Sequence, residues 1–277
     1  MNSSDSHNAL YVERDITSYY QDNSLWDRIA GTNGYDEMEG IFPGCTFDMS
    51  RGITTHGDGA GDYAGTNKIL ILGCNRFYNV GDNNNYINYN HIVCCPLTHF
   101  GGARYNSLDA DNNESMRGGY NSSEINTITI GSIAVSGNID GTINEQLYAE
   151  FGSHLKTHQE SISNSVDTSK PNRRHKSDDL GAVTSFINTN VQAILMSEIE
   201  VFGSIIWNSS GFDGGTVKGQ FPAFLYNSKN INVGRVSYFG LRDIATYTCY
   251  VIAHSYGRTT ITSASSKNPC RPRFILA

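Results

Sequence analysis

Charge is scarce in this sequence: only 17% of its 277 residues are Asp, Glu, Lys or Arg, and the net charge is −7. No run of Lys and Arg is long enough to follow a nucleic-acid backbone, so DNA or RNA binding is not expected. Long apolar runs are missing too. Stretches such as Ile69-Leu70-Ile71-Leu72 are strand-sized, far short of the roughly 20 residues that cross a bilayer as a helix. Residues Met1 to Asn8 carry neither a basic start nor an apolar core, so no secretory signal is read there.

Catalytic signatures are equally sparse. There is no Gly-x-Ser-x-Gly elbow, no His-Glu-x-x-His and no Gly-rich phosphate loop, which leaves no assembled set of catalytic groups to assign. Among the 8 histidines only His154 and His158 stand at i and i+4. On a helix they would share one face as metal ligands, but no thiol or carboxylate nearby completes the set, and Gly152 interrupts the helical pattern. Surface histidines are therefore expected. The 6 cysteines, Cys45, Cys74, Cys94, Cys95, Cys249 and Cys270, show no repeated short spacing, unlike a disulfide framework or a zinc knuckle. Buried or half-buried free thiols are expected, with Cys94 and Cys95 on opposite faces of one strand; a bridge from Cys249 to Cys270 stays open. Two acidic loops, Asp58 to Asp62 and Asp109 to Glu114, have oxygen spacings that calcium tolerates, but neither matches an EF-hand. No catalytic residue, metal or cofactor is assigned.

What the chain does have is Gly (28), Tyr (16) and abundant Asn. That is the composition of a loop-rich β protein with a polar, uncharged surface, common among phage tail and fibre proteins. Residues 1–18 are polar and read as an arm or a free tail. From Ser18, Leu25, Trp26 and Ile29 fall on one face of a short amphipathic helix. Ile41 to Met49 is a strand approached through the Pro43-Gly44 turn. Asn67 to Gly73 is a strand whose partner is His91 to Leu97. Thr142-Ile143-Asn144-Glu145 opens a helix with Leu147, Phe151 and Leu155 on one face, ended or kinked at Gly152. Thr157 to Val166 reads as a strand or turn, and Asp167 to Ala182, with its Lys170 to Lys176 basic cluster, as a long exposed loop. Ala193 to Gly203 runs from a strand into a helix capped by Ser197.

The last forty residues carry the most specific pattern. They begin with Tyr238-Phe239-Gly240-Leu241-Arg242-Asp243 and end with Arg271-Pro272-Arg273-Phe274-Ile275-Leu276-Ala277. Between these lie a Thr/Tyr/Cys/Val strand over Thr246 to Ile252, a turn at His254-Ser255-Tyr256-Gly257, and a Thr/Ile strand over Arg258 to Ser263. Phe274-Ile275-Leu276 predicts a buried terminal strand, with Pro272 at its first position or edge. From Ile244 to Ser266 there is no Lys, Glu, Gln, Met or Trp, the residues that an adenine-randomised Asn-type codon does not reach. Tyr, Ser, Thr, His and Arg, which stand there instead, suit adaptable recognition surfaces; an exposed hairpin has the same composition without any such origin.

An aromatic-Leu-Arg opening and an Arg-Pro-x-Phe exit, together with the phrase Leu195 to Ser204 (LMSEIEVFGS), resemble the C-type-lectin-like domains of phage structural proteins from gut Firmicutes. These are related to the variable proteins of diversity-generating retroelements. The resemblance covers about residues 20–277. It implies an α+β, loop-rich C-type-lectin-like fold, also called formylglycine-generating-enzyme-like, with short antiparallel strands and a few helices. A single domain spans 19–277, with a closing segment at 237–277 whose two ends are core strands. It further implies a virion protein, assembled in the host cytoplasm, whose Tyr247, Tyr250, His254, Tyr256 and Arg258 contact a host-surface glycan or protein while their neighbours alternate inward. A homo-oligomer, guessed as a trimer, and contacts with other virion subunits follow from that setting. The alternatives are a purely structural virion subunit and, less favoured, a formylglycine-generating-like enzyme. Cys249 and Cys270 stand too far apart for that enzyme's cysteine pair, and the calcium-and-sugar motifs of animal C-type lectins are absent.

Overall fold

The structure, a computed structural model, describes residues 7–31, 38–54, 65–79, 87–98, 100–103, 143–171, 181–204, 219–231, 238–244, 249–254, 257–263 and 268–277. Over these residues the fold is α+β, with short helices laid against antiparallel sheets. The central sheet runs in the order β1 (Thr46–Thr54), β2 (Gly65–Cys74), β3 (Ile92–Pro96), β13 (Pro272–Leu276), β5 (Leu155–Lys156). β8 (Ala193–Leu195) also pairs with β13.

The apolar runs Ile69 to Leu72 and Ile92 to Cys95 lack the polar alternation of a sheet with one wet face. The reason is that both faces are covered. Ile69, Ile71, Ile92, Cys94, Phe274 and Leu276 join one core cluster. Leu70, Leu72, Val93, Cys95 and Ile275 join the other. A strand buried on both sides is apolar throughout, and Cys94 and Cys95 do face opposite ways. Each enclosed Ile or Leu contributes about 1.5–3 kcal/mol of transfer free energy.

Helices α1 (Thr17–Gln21), α2 (Ser24–Ala30) and α3 (Ile143–Phe151) belong to the first cluster, which takes in Leu25, Ile29, Leu147 and Phe151. The single helix expected after Ser18 is two helices. Asn23 takes φ 62° between them, a left-handed conformation Asn tolerates, and Asp22 accepts from the Ser24 amide at 2.9 Å to start α2. Leu25 and Ile29 are buried as expected, and Trp26 stacks on His154 at 3.8 Å between ring centroids. The α3 helix stops where Gly152 takes φ +54°, and a 3-10 turn, Gly152–His154, leads into β5.

Residues 1–18, set apart as an arm or tail, are described from residue 7 onward, and that part lies on the body of its own chain. Ile16 is fully buried. Asn8 donates to the Cys74 carbonyl at 2.7 Å and accepts from the Cys74 amide at 2.9 Å.

At its two described ends, 167–171 and 181–182, the loop expected over Asp167 to Ala182 is strand. β6 (His158–Pro171) and β7 (Gly181–Val191) pair from His158↔Val191 to Pro171↔Gly181. Ser, Asn and Thr dominate both arms and hide the period-2 signal that marks a half-buried strand. Residues 172–180 lie outside the described set.

On the second cluster lie α4 (Glu198–Phe202), α5 (Pro222–Tyr226) and the strand β9 (Tyr238–Ile244). β9 pairs with β10 (Cys249–His254), and β10 with β11 (Arg258–Ser263). β12 (Asn268–Cys270) pairs with β4 (Phe100–Ala103). No helix among the described residues is long and apolar enough to cross a membrane.

Candidate functional site

The closing segment folds as its pattern predicts at both ends. Phe239 and Leu241 of β9 are buried, as is every residue of β13, with Pro272 at its first position. Between these ends, Gly257 takes φ +71° and donates its amide to the His254 carbonyl at 3.0 Å. That contact closes the β10–β11 turn and sets His254 opposite Arg258. His254 is half-buried and Arg258 exposed. Tyr250 stands opposite Thr262, four positions from His254 or about 13 Å along the strand. Tyr247 and Tyr256 lie outside the described residues, as do both acidic loops. The inward alternation expected along β10 does not hold at its centre: Ile252 joins the first core cluster and Ala253 the second. The strand runs between the two clusters there, so both its faces are covered.

The strongest chemistry lies where β9, β13, the start of α4 and the start of β6 meet. Arg242 of β9 donates to Glu200 Oε2 at 2.8 Å. Arg273 of β13 donates through Nε to Glu200 Oε1 at 2.9 Å and through Nη2 to Glu160 Oε2 at 2.7 Å. His158 Nε2 meets the other Glu160 oxygen at 2.5 Å. The four charged side chains are at most 2% exposed. Two guanidiniums meet two carboxylates, so each buried charge faces an opposite one, which is the condition for burying them.

Local structure prepares each member. Ser197 and Glu200 form a capping box on α4: Ser197 Oγ accepts from the Glu200 amide at 3.3 Å, and Glu200 Oε2 accepts from the Ser197 amide at 2.8 Å. The carboxylate that caps the helix is thus also the one that receives both arginines. Asp243, next to Arg242, accepts from the Glu198 amide and ties β9 to the start of α4. The face of Phe77 lies 4.5 Å from the Arg273 guanidinium carbon, a cation–π contact in a dry site.

Burial alone raises the Glu160 carboxyl pKa, but the Arg273 guanidinium and His158 beside it hold it well below the usual carboxylate value. Arg271, two residues before Arg273, donates to the Pro96 and Asn230 carbonyls. It lies between Phe224 and Phe239, 5.4 and 5.7 Å from their ring centroids.

His154 and His158 do not share a helix face. His154 ends the 3-10 turn and meets the Ala277 carbonyl at 2.9 Å, while His158 opens β6 and is 6% exposed. The expectation of two surface histidines therefore fails at His158, because the turn at Gly152 swings the following strand into the core. No group of three or more His, Cys, Asp or Glu among the described residues is arranged to hold a metal. Every charged member of the buried group is committed to another, so its chemistry is that of a fastener. Sequence reading missed Glu160, which sits in a polar strand with no motif around it. Glu200 was not singled out either, although its place three residues after Ser197 is a capping-box signal.

No known protein family, curated protein or solved structure matches this chain.

Proposed function

We propose that this chain is a C-type-lectin-like subunit of a phage virion that recognises the host cell surface through the hairpin of β10 and β11. One observation carries the reading. The two ends of the closing segment are fastened into the core through Arg242 and Arg273, whereas the turn between them brings an exposed guanidinium, Arg258, beside the half-buried His254. A recognition loop works best on such a base: rigid where it joins the fold and free to vary at its tip. The Tyr, His and Arg side chains of the segment offer large contact area and hydrogen-bond donors at small entropic cost. The ligand class is a cell-wall glycan or a surface protein of a gut Firmicute.

The test is binding of the purified chain, in its native oligomeric state, to intact cells. Wild type is compared with a folded Tyr247→Ala/Tyr250→Ala/Tyr256→Ala/Arg258→Ala variant. The expected result is binding by wild type and at least a tenfold loss in the variant. Absence of wild-type binding would overturn the adhesion role in favour of a structural virion subunit.

A further inference from the structure

We infer that the cleft bordered by Tyr78 and Tyr89 is a binding site for an uncharged saccharide, separate from the β10–β11 hairpin. The cleft has a volume of about 530 Å³, within the range of small-molecule sites and large enough for one or two pyranose rings. Its apolar side is made by Ala30 at the end of α2 and by Ala277, next to the buried Ile29. Tyr78 and Tyr89 are 36% and 39% exposed, and the polar groups are Asn88, Asn90 and Lys156.

This mixture matches a pyranose. A sugar ring has an apolar face of C–H groups, which packs on the electron-rich face of an aromatic ring, and an edge of hydroxyls that both donate and accept. Asn90 Oδ1 accepts from Asn75 at 3.2 Å, which fixes the amide plane and leaves its NH₂ group for a ligand. Lys156 is the one charged side chain among the described residues of the lining. Its ammonium is bound to the Ser153 carbonyl at 2.8 Å and lies 5.8 Å from the centroid of the Tyr89 ring. A single ammonium, with one donor already bound, offers no bidentate fork to a carboxylate or phosphate, and its remaining donors serve hydroxyls.

The walls are built rather than incidental. Asn75 takes φ 50° and clasps the backbone of His91: its amide donates to the His91 carbonyl and its Oδ1 accepts from the His91 amide, both at 2.8 Å. The buried His91 ring then meets the Tyr89 carbonyl at 3.0 Å through Nδ1 and the Phe77 amide at 3.1 Å through Nε2. A carbonyl only accepts and an amide N–H only donates, so the proton sits on Nδ1 and the ring is neutral. Tyr78 is held by the same clasp, its amide donating to the Asn75 carbonyl at 3.2 Å. Both tyrosines thus stand on a backbone that one histidine and one asparagine lock, the support that a preorganised site needs.

Saturation-transfer NMR on the full chain tests this, with methyl β-glucoside, methyl β-galactoside and N,N′-diacetylchitobiose as probes at millimolar concentration. At least one probe is expected to show transfer and to shift the Asn90 side-chain amide resonances of the wild-type protein. Tyr78→Ala and Tyr89→Ala should each weaken it about tenfold. Tyr89→Phe, which keeps the ring, should bind within about twofold of wild type. The idea is overturned by absence of transfer from all three probes. It is overturned equally by transfer that leaves the Asn90 amide unshifted, a readout on the wild-type chain that needs no variant to fold. The site does not rest on the adhesion role: hairpin variants that lose cell binding keep the probe-induced shift of the Asn90 amide if both readings hold, and each measurement fails on its own.

Discussion

Arg273 and Glu160 lie 113 residues apart in the chain and form a hydrogen-bonded ion pair at 2.7 Å, each with its side chain fully enclosed. The pair joins the last strand of the central sheet to the root of the β6–β7 hairpin. Through Glu200 it also reaches α4 and β9. Removing one partner strands a buried charge, which costs about 3–5 kcal/mol. Arg273→Met and Glu160→Gln should therefore each lower the urea-denaturation stability by that amount, and the double variant should cost less than the sum of the two. Strictly additive losses would show that the two side chains are not coupled.

Acid should loosen the same pair. The Glu160 carboxyl is held below its ordinary value of 4.5 in the folded chain. Its contribution is therefore complete above about pH 4.5 and is lost as pH falls through the folded pKa. Urea midpoints between pH 7 and pH 3 should fall below pH 4.5 in the wild type and fall less steeply in Glu160→Gln. Parallel curves would remove Glu160 from the acid response.

The two halves of the α4 capping box carry unequal loads. Ser197→Ala removes one cap hydrogen bond and should cost about 1 kcal/mol. Glu200→Ala removes the reciprocal bond and also leaves Arg242 and Arg273 without their shared carboxylate, so it should cost about 3 kcal/mol or more. Thermal unfolding of the two variants side by side checks the ranking; equal shifts would reduce Glu200 to a helix cap.

Thiol chemistry offers a separate probe of the core. Cys45, Cys74, Cys94 and Cys95 are free and buried, and burial raises the pKa of each; for Cys95 the neighbouring Arg271 partly opposes the rise. A thiol without thiolate character or access is inert. Native protein should expose at most two thiols to Ellman's reagent, Cys249 and Cys270, with the other four appearing only on unfolding. Rapid reaction of a third would mean that the central sheet opens readily.

Much of the architecture was legible because it rests on short-range signals. The doubly apolar runs around Ile71 and Val93 announced strands, Gly152 ended the helix before it, Ser197 announced its cap, and Phe274 to Leu276 announced a buried last strand. The hairpin that sets His254 opposite Arg258 was readable from its turn and its β-branched arms. β6 was read as a strand or turn only as far as Val166, and β7 was not read at all, because Ser, Asn and Thr fill both segments and leave no alternation of apolar and polar residues. A left-handed Asn23 divided a helix that the pattern ran together.

The sequence by itself determined where strands, caps and turns lie, because those follow from neighbours a few residues away. Only the tertiary structure decided that Glu160 and His158 would be core residues, that Arg242, Glu200 and Arg273 would close on one another, and that Tyr78 and Tyr89 would border one cleft. Each of those depends on which distant segments pack together. A buried charge carries no local mark of its partner, and a surface tyrosine none of the cavity beside it.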